Sequence, residues 1–198
     1  FSFVGLLAFE DPVREGVTEA IQNCREGGIH GVMVTGDHPV TAKAVACEIG
    51  LGHGNPKVIE ANQLDTLLQQ ESAALINVDV IARAVPSQKL SLVRCLQSAG
   101  EVVAVTGDGI NDVPDLQAAD IGIAMGISGT DVAKEAAHMT LLDDNFATIV
   151  RAVREGRRIY DNIRKFIKYT MTSNSGEIWT IFLAPFLGLP IPLLPIHI

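Results

Sequence analysis

Thr106-Gly107-Asp108-Gly109-Ile110-Asn111-Asp112-Val113-Pro114 is the stretch that decides the fold. It follows Glu101–Val105, an apolar run that reads as a buried β-strand, and it leads into a short helix. A glycine-rich acidic loop after such a strand lies at the carboxyl edge of a parallel sheet, where open α/β folds place their ligands. The two glycines permit a tight turn. Asp108 and Asp112 stand four apart, so both carboxylates can converge on one spot. Carboxylate oxygens are hard ligands that suit Mg²⁺, which is held by one or two carboxylates plus phosphate oxygens.

Outward from this loop the chain repeats one rhythm. Short apolar runs alternate with helical patterns through residue 150, the βαβ signature of a parallel sheet. Strands are expected at 3–9, 31–34, 57–59, 81–84, 101–105, 121–124 and 138–141. Asp11-Pro12 is expected to open a helix that runs to Glu26, and Pro39 a second that ends near Gly50. A third helix is expected near 62–68. Pro86 opens a fourth, to Ser98, with Leu90, Val93 and Leu96 at helical spacing. A further helix follows Gly129.

Thr35-Gly36-Asp37 is a second loop of the same kind, placed after the second strand. A hydroxyl and backbone N–H groups at a helix start suit an anion. Two such loops on one sheet edge reinforce each other. Lys89 stands in the first turn of the helix opened by Pro86, mildly opposed by the helix dipole. A phosphate held nearby would supply a reason for it.

Composition narrows the function classes. The chain has 198 residues, 47% of them hydrophobic, which excludes intrinsic disorder. Three cysteines, Cys24, Cys47 and Cys95, fit neither a disulfide framework nor a zinc site. The net charge of -8 argues against nucleic acid as a partner. Residues 1–150 hold 8 Lys/Arg against 20 Asp/Glu, whereas 151–198 hold 7 against 3. All seven of those cations lie between Arg151 and Lys168, and 178–196 is a run of 19 residues without charge. The pattern is an acidic globular part, a basic collar and an apolar tail that approaches a bilayer span. A long helix is expected from Asn145 to about Ala184, where Pro185 stops it. Its last 20 or so residues, Lys165–Ala184, are the expected span, with the collar and residues 1–150 on the cytoplasmic side. Asn174 and Glu177 share a face there. A carboxylate at membrane depth marks an ion path, and these oxygens fit Ca²⁺. No initiator Met or basic leader precedes Phe1, and the chain stops inside an apolar run at Ile198, so a fragment of a longer chain is expected.

These residues together resemble a P-type cation-transporting ATPase of the type II branch, within the haloacid-dehalogenase-like superfamily. The resemblance rests on Asp11-Pro12 with Arg14, Thr35-Gly36-Asp37, Arg83 with Pro86 and Lys89, the loop 106–114, and Ala118–Gly126. It continues through Thr172–Glu177, Leu187–Pro190 and Leu193–Ile196, and so covers the whole chain. It implies a Rossmann-like sheet with flanking helices, a phosphorylation domain over 1–150, a stalk and transmembrane helix over 151–184, and a membrane turn over 185–198. It implies ATP and Mg²⁺ as cofactors, with Asp108 as metal ligand and Asp112 and Asn111 beside it. Thr35, Gly36 and Asp37 are then the phosphate loop, Lys89 the cation that neutralises the transferring phosphoryl group, and Arg83 a hinge arginine near the nucleotide. Asn174 and Glu177 become ligands of the transported cation, Ca²⁺, with sodium and potassium as relatives' alternatives. The lipid membrane and the remaining parts of the same pump are the implied partners.

The pattern is broken in three places. The acceptor motif Asp-Lys-Thr-Gly is absent from this chain, so these 198 residues alone are expected to be inactive. Asp115 stands where a small residue is expected, and His197 where Gln is common. A soluble Mg²⁺-dependent phosphatase of the same superfamily, or a membrane-anchored phosphate binder without turnover, would share the acidic loop.

Overall fold

The computed structural model describes residues 4, 5, 7, 12–70, 75 and 77–190. These divide into two compact units, 1–150 and 151–198. Within the first unit, α1 is Val17–Glu26, β1 Met33–Val34, α2 Pro39–Glu48, β2 Val58–Glu60, α3 Ala61–Gln70 and β3 Val80–Ala82. Then come α4 Pro86–Ser98, β4 Ala104–Gly107, α5 Val113–Ala118, β5 Ile121–Met125, α6 Asp131–Ala136 and β6 Met139–Leu141. The helix α7, Phe146–Leu183, begins in the first unit and supplies most of the second.

The strands form two parallel sheets of three, ordered β1-β3-β2 and β4-β5-β6. Among the described residues the single sheet expected from the sequence is therefore divided in two. The loops at Thr35 and Asp108 therefore close the edge strands of two different sheets. In the first sheet β3 is central, and Val80, Ile81 and Ala82 are all fully buried. Alternation divides them between two layers. Val80 and Ala82 pack with Ala42, Ala46 and Leu51, while Ile81 packs with Leu64, Val78 and Leu92. The sheet is thus sandwiched by α2 on one face and by α3 and α4 on the other. The second sheet buries Leu116, Ala124 and Ala133. A fourth cluster joins Ala20 and Cys24 to Val150 at the start of α7.

Several boundaries move. The helix expected from Pro12 begins at Val17, because Gly16 before it sits in the left-handed region at φ 82°. Asp11 and most of the expected strand 3–9 lie outside the described residues. The strand expected to be buried over 101–105 instead starts at Ala104, with alternate residues exposed, and Val102 is 79% exposed. Among the described residues no strand covers the outer edge of β4.

The expected span over 165–184 is not marked by an apolar helix. No helix among the described residues is long and apolar enough to cross a membrane. Length is not the obstacle, since 38 residues make about 57 Å of helix. The uncharged run begins only at Ile178, and the helix ends at Leu183, just before Pro185. The preceding turns carry Thr170, Thr172, Ser173, Asn174, Ser175 and Glu177. The apolar count of the sequence therefore fell mostly beyond the end of the helix.

Asp144 ties down the turn after β5. Its carboxylate accepts the backbone N–H groups of Ile127 at 3.0 Å and Ser128 at 2.7 Å. The Ile127 N–H is the main cause that pulls its pKa down to about 2, joined by Ser128 and Gly126 against a burial penalty. A depressed carboxyl contributes stability above the ordinary carboxylate range of about 4, and loses it as pH falls through the folded value. Hydrogen exchange of the Ile127 and Ser128 amides should accelerate relative to the other strand-end amides between pH 4 and 2. In Asp144→Asn that pH-dependent step should be absent. The same step in both proteins would exclude Asp144 as its source.

Candidate active site

The acidic loop is built by a close approach that only glycine permits. A Cβ on Gly107, the last residue of β4, would stand 2.5 Å from the Cβ of Asp112. The chain turns through Gly109 into a 3-10 turn, Ile110–Asp112, and Asp112 is the residue from which α5 starts. Its Oδ2 accepts the N–H of Gly109 at 3.1 Å and of Asp108 at 3.3 Å. Its Oδ1 accepts Lys89 Nζ at 2.9 Å. Burial pushes the Asp112 carboxyl up. The Lys89 hydrogen bond, the Gly109 N–H, the Lys89 charge and the Asp108 N–H outweigh burial and hold it below the ordinary range.

Lys89 lies in the first turn of α4, where Pro86 occupies the first position. Its unfavourable place against the helix dipole is answered by the carboxylate of Asp112, 23 residues on. Gln88, beside it, donates to the Ala61 carbonyl, and its side-chain oxygen accepts the Val85 N–H at the start of α4. Both anchor the helix start that carries the ammonium. Asp108 and Asn111 stand exposed at the loop tip. The structure thus brings Asp112 to Lys89, with Asp108 and Asn111 in the same loop.

The second expected group is assembled at the carboxyl edge of the first sheet. Thr35 Oγ1 accepts the N–H of Asp37 at 3.1 Å, closing the turn through Gly36. The backbone then pairs with the loop after β3: Thr35 N–H to Ile81 O, Ala84 N–H to Thr35 O, and Arg83 N–H to Asp37 O, all 2.9–3.0 Å. Arg83 is exposed and held in the left-handed region at φ 55°. This conformation is costly for a non-glycine residue and recurs at functional loops. Five residues separate Arg83 from Lys89, so one loop and one helix start serve both groups.

Asn174 and Glu177 are exposed on α7, three residues apart. Thr172 and Thr180 donate to the carbonyls of Lys168 and Gly176, so these hydroxyls are spent on their own helix.

Two residues of consequence escaped the sequence reading. Asp144 was passed over, although Asp143-Asp144-Asn145 is a turn signal that could have marked it. Asp115 drew notice only as a departure. It is 1% exposed, and neither carboxylate oxygen has a hydrogen-bond partner. Burial pushes its carboxyl up; the Lys89 charge pulls it back and the Asp112 charge opposes that.

A hard divalent cation fits this donor set in part. Asp108 offers free carboxylate oxygens, whereas both Asp112 oxygens already accept hydrogen bonds. Mg²⁺ needs few protein ligands when phosphate oxygens complete its shell. Among the described residues no group of three or more His, Cys, Asp or Glu side chains is gathered for a metal.

Two three-stranded parallel sheets among the described residues, each with a glycine-containing loop at its carboxyl edge, define an α/β protein with a candidate site suited to an anion. The chain belongs to the haloacid dehalogenase-like hydrolases, matching that family over residues 2–120 and a second haloacid dehalogenase-like model over 88–153. It is 50% identical over 198 residues to a calcium-transporting ATPase of Bacillus subtilis (strain 168), covering all of this chain and 22% of that one. It is 47% identical over 223 residues to the human sodium/potassium-transporting ATPase subunit alpha-4, covering 96% of this chain and 21% of the relative. A crystal structure of a zinc-transporting PIB-type ATPase in its E2.Pi state superposes with TM-score 0.66 at 31% identity, over 91% of this chain and 24% of that one. These likenesses bear out the resemblance to the P-type ATPases. The chain spans about a fifth of the length of the curated relatives it matches.

Proposed function

We propose that this chain is the phosphorylation-domain and stalk part of an ATP-driven cation pump, with Ca²⁺ as its cargo. The observation that carries this reading is the state of β1 and β4. Both are edge strands of parallel sheets among the described residues, and both end in the loops that hold the candidate site. One further parallel strand, set between them, would join the two sheets. Its own carboxyl end would then lie between Thr35 and Asp108. That is the place for an acceptor aspartate, which in this reading comes from elsewhere in the complete pump.

Phosphoryl transfer asks a protein mainly for positioning and charge stabilisation. Thr35, Gly36 and the N–H groups of their turn hold phosphate oxygens, with Asp37 fixing the turn. Lys89 presents its ammonium to the charge that builds in the transition state. Asp112 holds that ammonium in place through Oδ1, and Asn111 lines the same loop. Bound Mg²⁺, held by Asp108 with Asp112 beside it, supplies further neutralisation of phosphate charge. Arg83, exposed on the loop before α4, would meet the nucleotide as a hinge residue.

In the second unit, Asn174 and Glu177 bind the cargo on α7, within the lipid membrane and among helices of the complete pump. The same polar side chains lower the helix below an ordinary apolar span. That finding is the ground for the alternative, a soluble Mg²⁺-dependent phosphatase.

The test is acid-quenched labelling with [γ-³²P]ATP. The complete pump should form a Mg²⁺-dependent, hydroxylamine-labile phosphoenzyme whose level responds to Ca²⁺. The 198-residue chain alone should form none. Labelling of the short chain would sink the proposal, as would hydrolysis of p-nitrophenyl phosphate by a complete protein that forms no acyl phosphate.

A further inference from the structure

The Asp115 carboxylate costs the fold something and gains it no hydrogen bond or ion pair. A buried carboxylate without a hydrogen bond or an ion pair is destabilising, and native proteins satisfy such groups almost without exception. Here both oxygens are inaccessible and unbonded. The charges that act on the group are Lys89 and Asp112. Asp115 lies three residues after Asp112, in the first turn of α5, and α5 packs against α4, which carries Lys89. Two carboxylate charges therefore act on one ammonium, and only Asp112 is bonded to it.

We propose that Asp115 is a positioning residue that acts through Lys89: its buried carboxylate is a second counter-charge that draws the ammonium's field inward and weakens the grip of the loop on a phosphate group. The inference rests on the reading of this loop as a phosphate site. A phosphoryl-transfer site must let inorganic phosphate go as well as hold the transferring group. With Asp112 alone, Lys89 would be neutralised by one carboxylate that is itself fixed by two backbone N–H groups. At pH 8, far enough above the carboxylate range to ionise Asp115 against the burial that pushes it up, a second negative charge makes the local balance of the three side chains negative. That opposes an incoming phosphate anion at short range, where screening by water is weak. A purely structural Asp115 would instead be expected to make hydrogen bonds that its removal would break, and it makes none.

The experiment is a ³¹P NMR line-width titration of the complete pump with inorganic orthophosphate at pH 8 in the presence of Mg²⁺. Wild type, Asp115→Asn, Asp115→Ala, Asp115→Glu and Lys89→Gln are compared, with Asp115→Asn also placed in the Lys89→Gln background. Circular dichroism confirms folding of each. Asp115→Asn and Asp115→Ala should bind phosphate on the order of tenfold more tightly, the scale of one nearby charge. Asp115→Glu should stay close to wild type. The gain should vanish when Lys89 is Gln. Equal affinity in wild type and Asp115→Asn would overturn the proposal. So would a gain that survives in the Lys89→Gln background, since Asp115 would then not act through Lys89. A gain seen with Ala and not with Asn would assign the effect to space rather than charge, and would overturn it too. Failure of every form to bind phosphate would overturn the reading of the site itself.

Discussion

Lys89→Ala should lower phosphoenzyme formation by the complete pump by about two to three orders of magnitude, with little change in the KM for ATP. That is the scale of losing one preorganised donor aimed at charge that develops in the transition state. The structure gives two reasons to expect the upper part of the range. The ammonium is fixed at 2.9 Å by Asp112, so no reorganisation is needed when charge builds. Its loss also strips Asp112 of the partner that offsets its burial, leaving that carboxylate to disturb the loop it caps. Lys89→Arg should recover only part of the rate, because a planar guanidinium cannot reproduce a compact ammonium against one carboxylate oxygen. Single-turnover rapid quench separates the step from ATP binding. A loss confined to KM would show that Lys89 serves binding alone, and an unchanged rate would remove it from the site.

What the sequence disclosed follows the range of the interactions. The helix expected from Pro86 to Ser98 is found over those residues, because proline at its first position and the apolar spacing are local signals. Pro185 likewise stops α7 where expected. The division into two sheets was not legible, since parallel pairing joins strands far apart in sequence and local periodicity does not encode their order. The exposed flank of β4 escaped for the same reason: an apolar run shows that a strand wants cover, not what covers it. In the site, the loop types at Thr35 and Asp108 were readable from glycine and hydroxyl chemistry. The Lys89–Asp112 bond was not, because it spans 23 residues and two elements. Asp115 could be seen as out of place, yet its burial depends on how α5 seats against α4 and β5, which no single segment specifies.

Gly122→Ala should destabilise the first unit by more than about 3 kcal/mol, toward the high end for overpacking a closed core. Gly122 is buried in β5, and a Cβ there would stand 2.1 Å from the Leu116 carbonyl oxygen and 2.8 Å from its carbon. Both atoms are backbone, so no rotamer change relieves the contact. Either β5 or α5 must move. Strand β5 is central to its sheet, paired to β4 and β6 along its length, and Gly122 also exchanges hydrogen bonds with His138 at 2.8 and 2.9 Å. Helix α5 carries fully buried Leu116. The displacement therefore falls on α5, and α5 begins at Asp112, so the mutation should loosen the Lys89–Asp112 pair as well as the core. The contrast is Gly156→Ala on α7, where nothing lies within 4 Å of the new Cβ. Alanine in a helix interior should stabilise that segment by about 0.5–1 kcal/mol. Urea unfolding monitored by circular dichroism checks both. A midpoint for Gly122→Ala within error of wild type would mean that α5 is free to lift from β5. The geometry proposed for Lys89 with Asp112 and Asp115, the two carboxylates that α5 carries, would then lose its support.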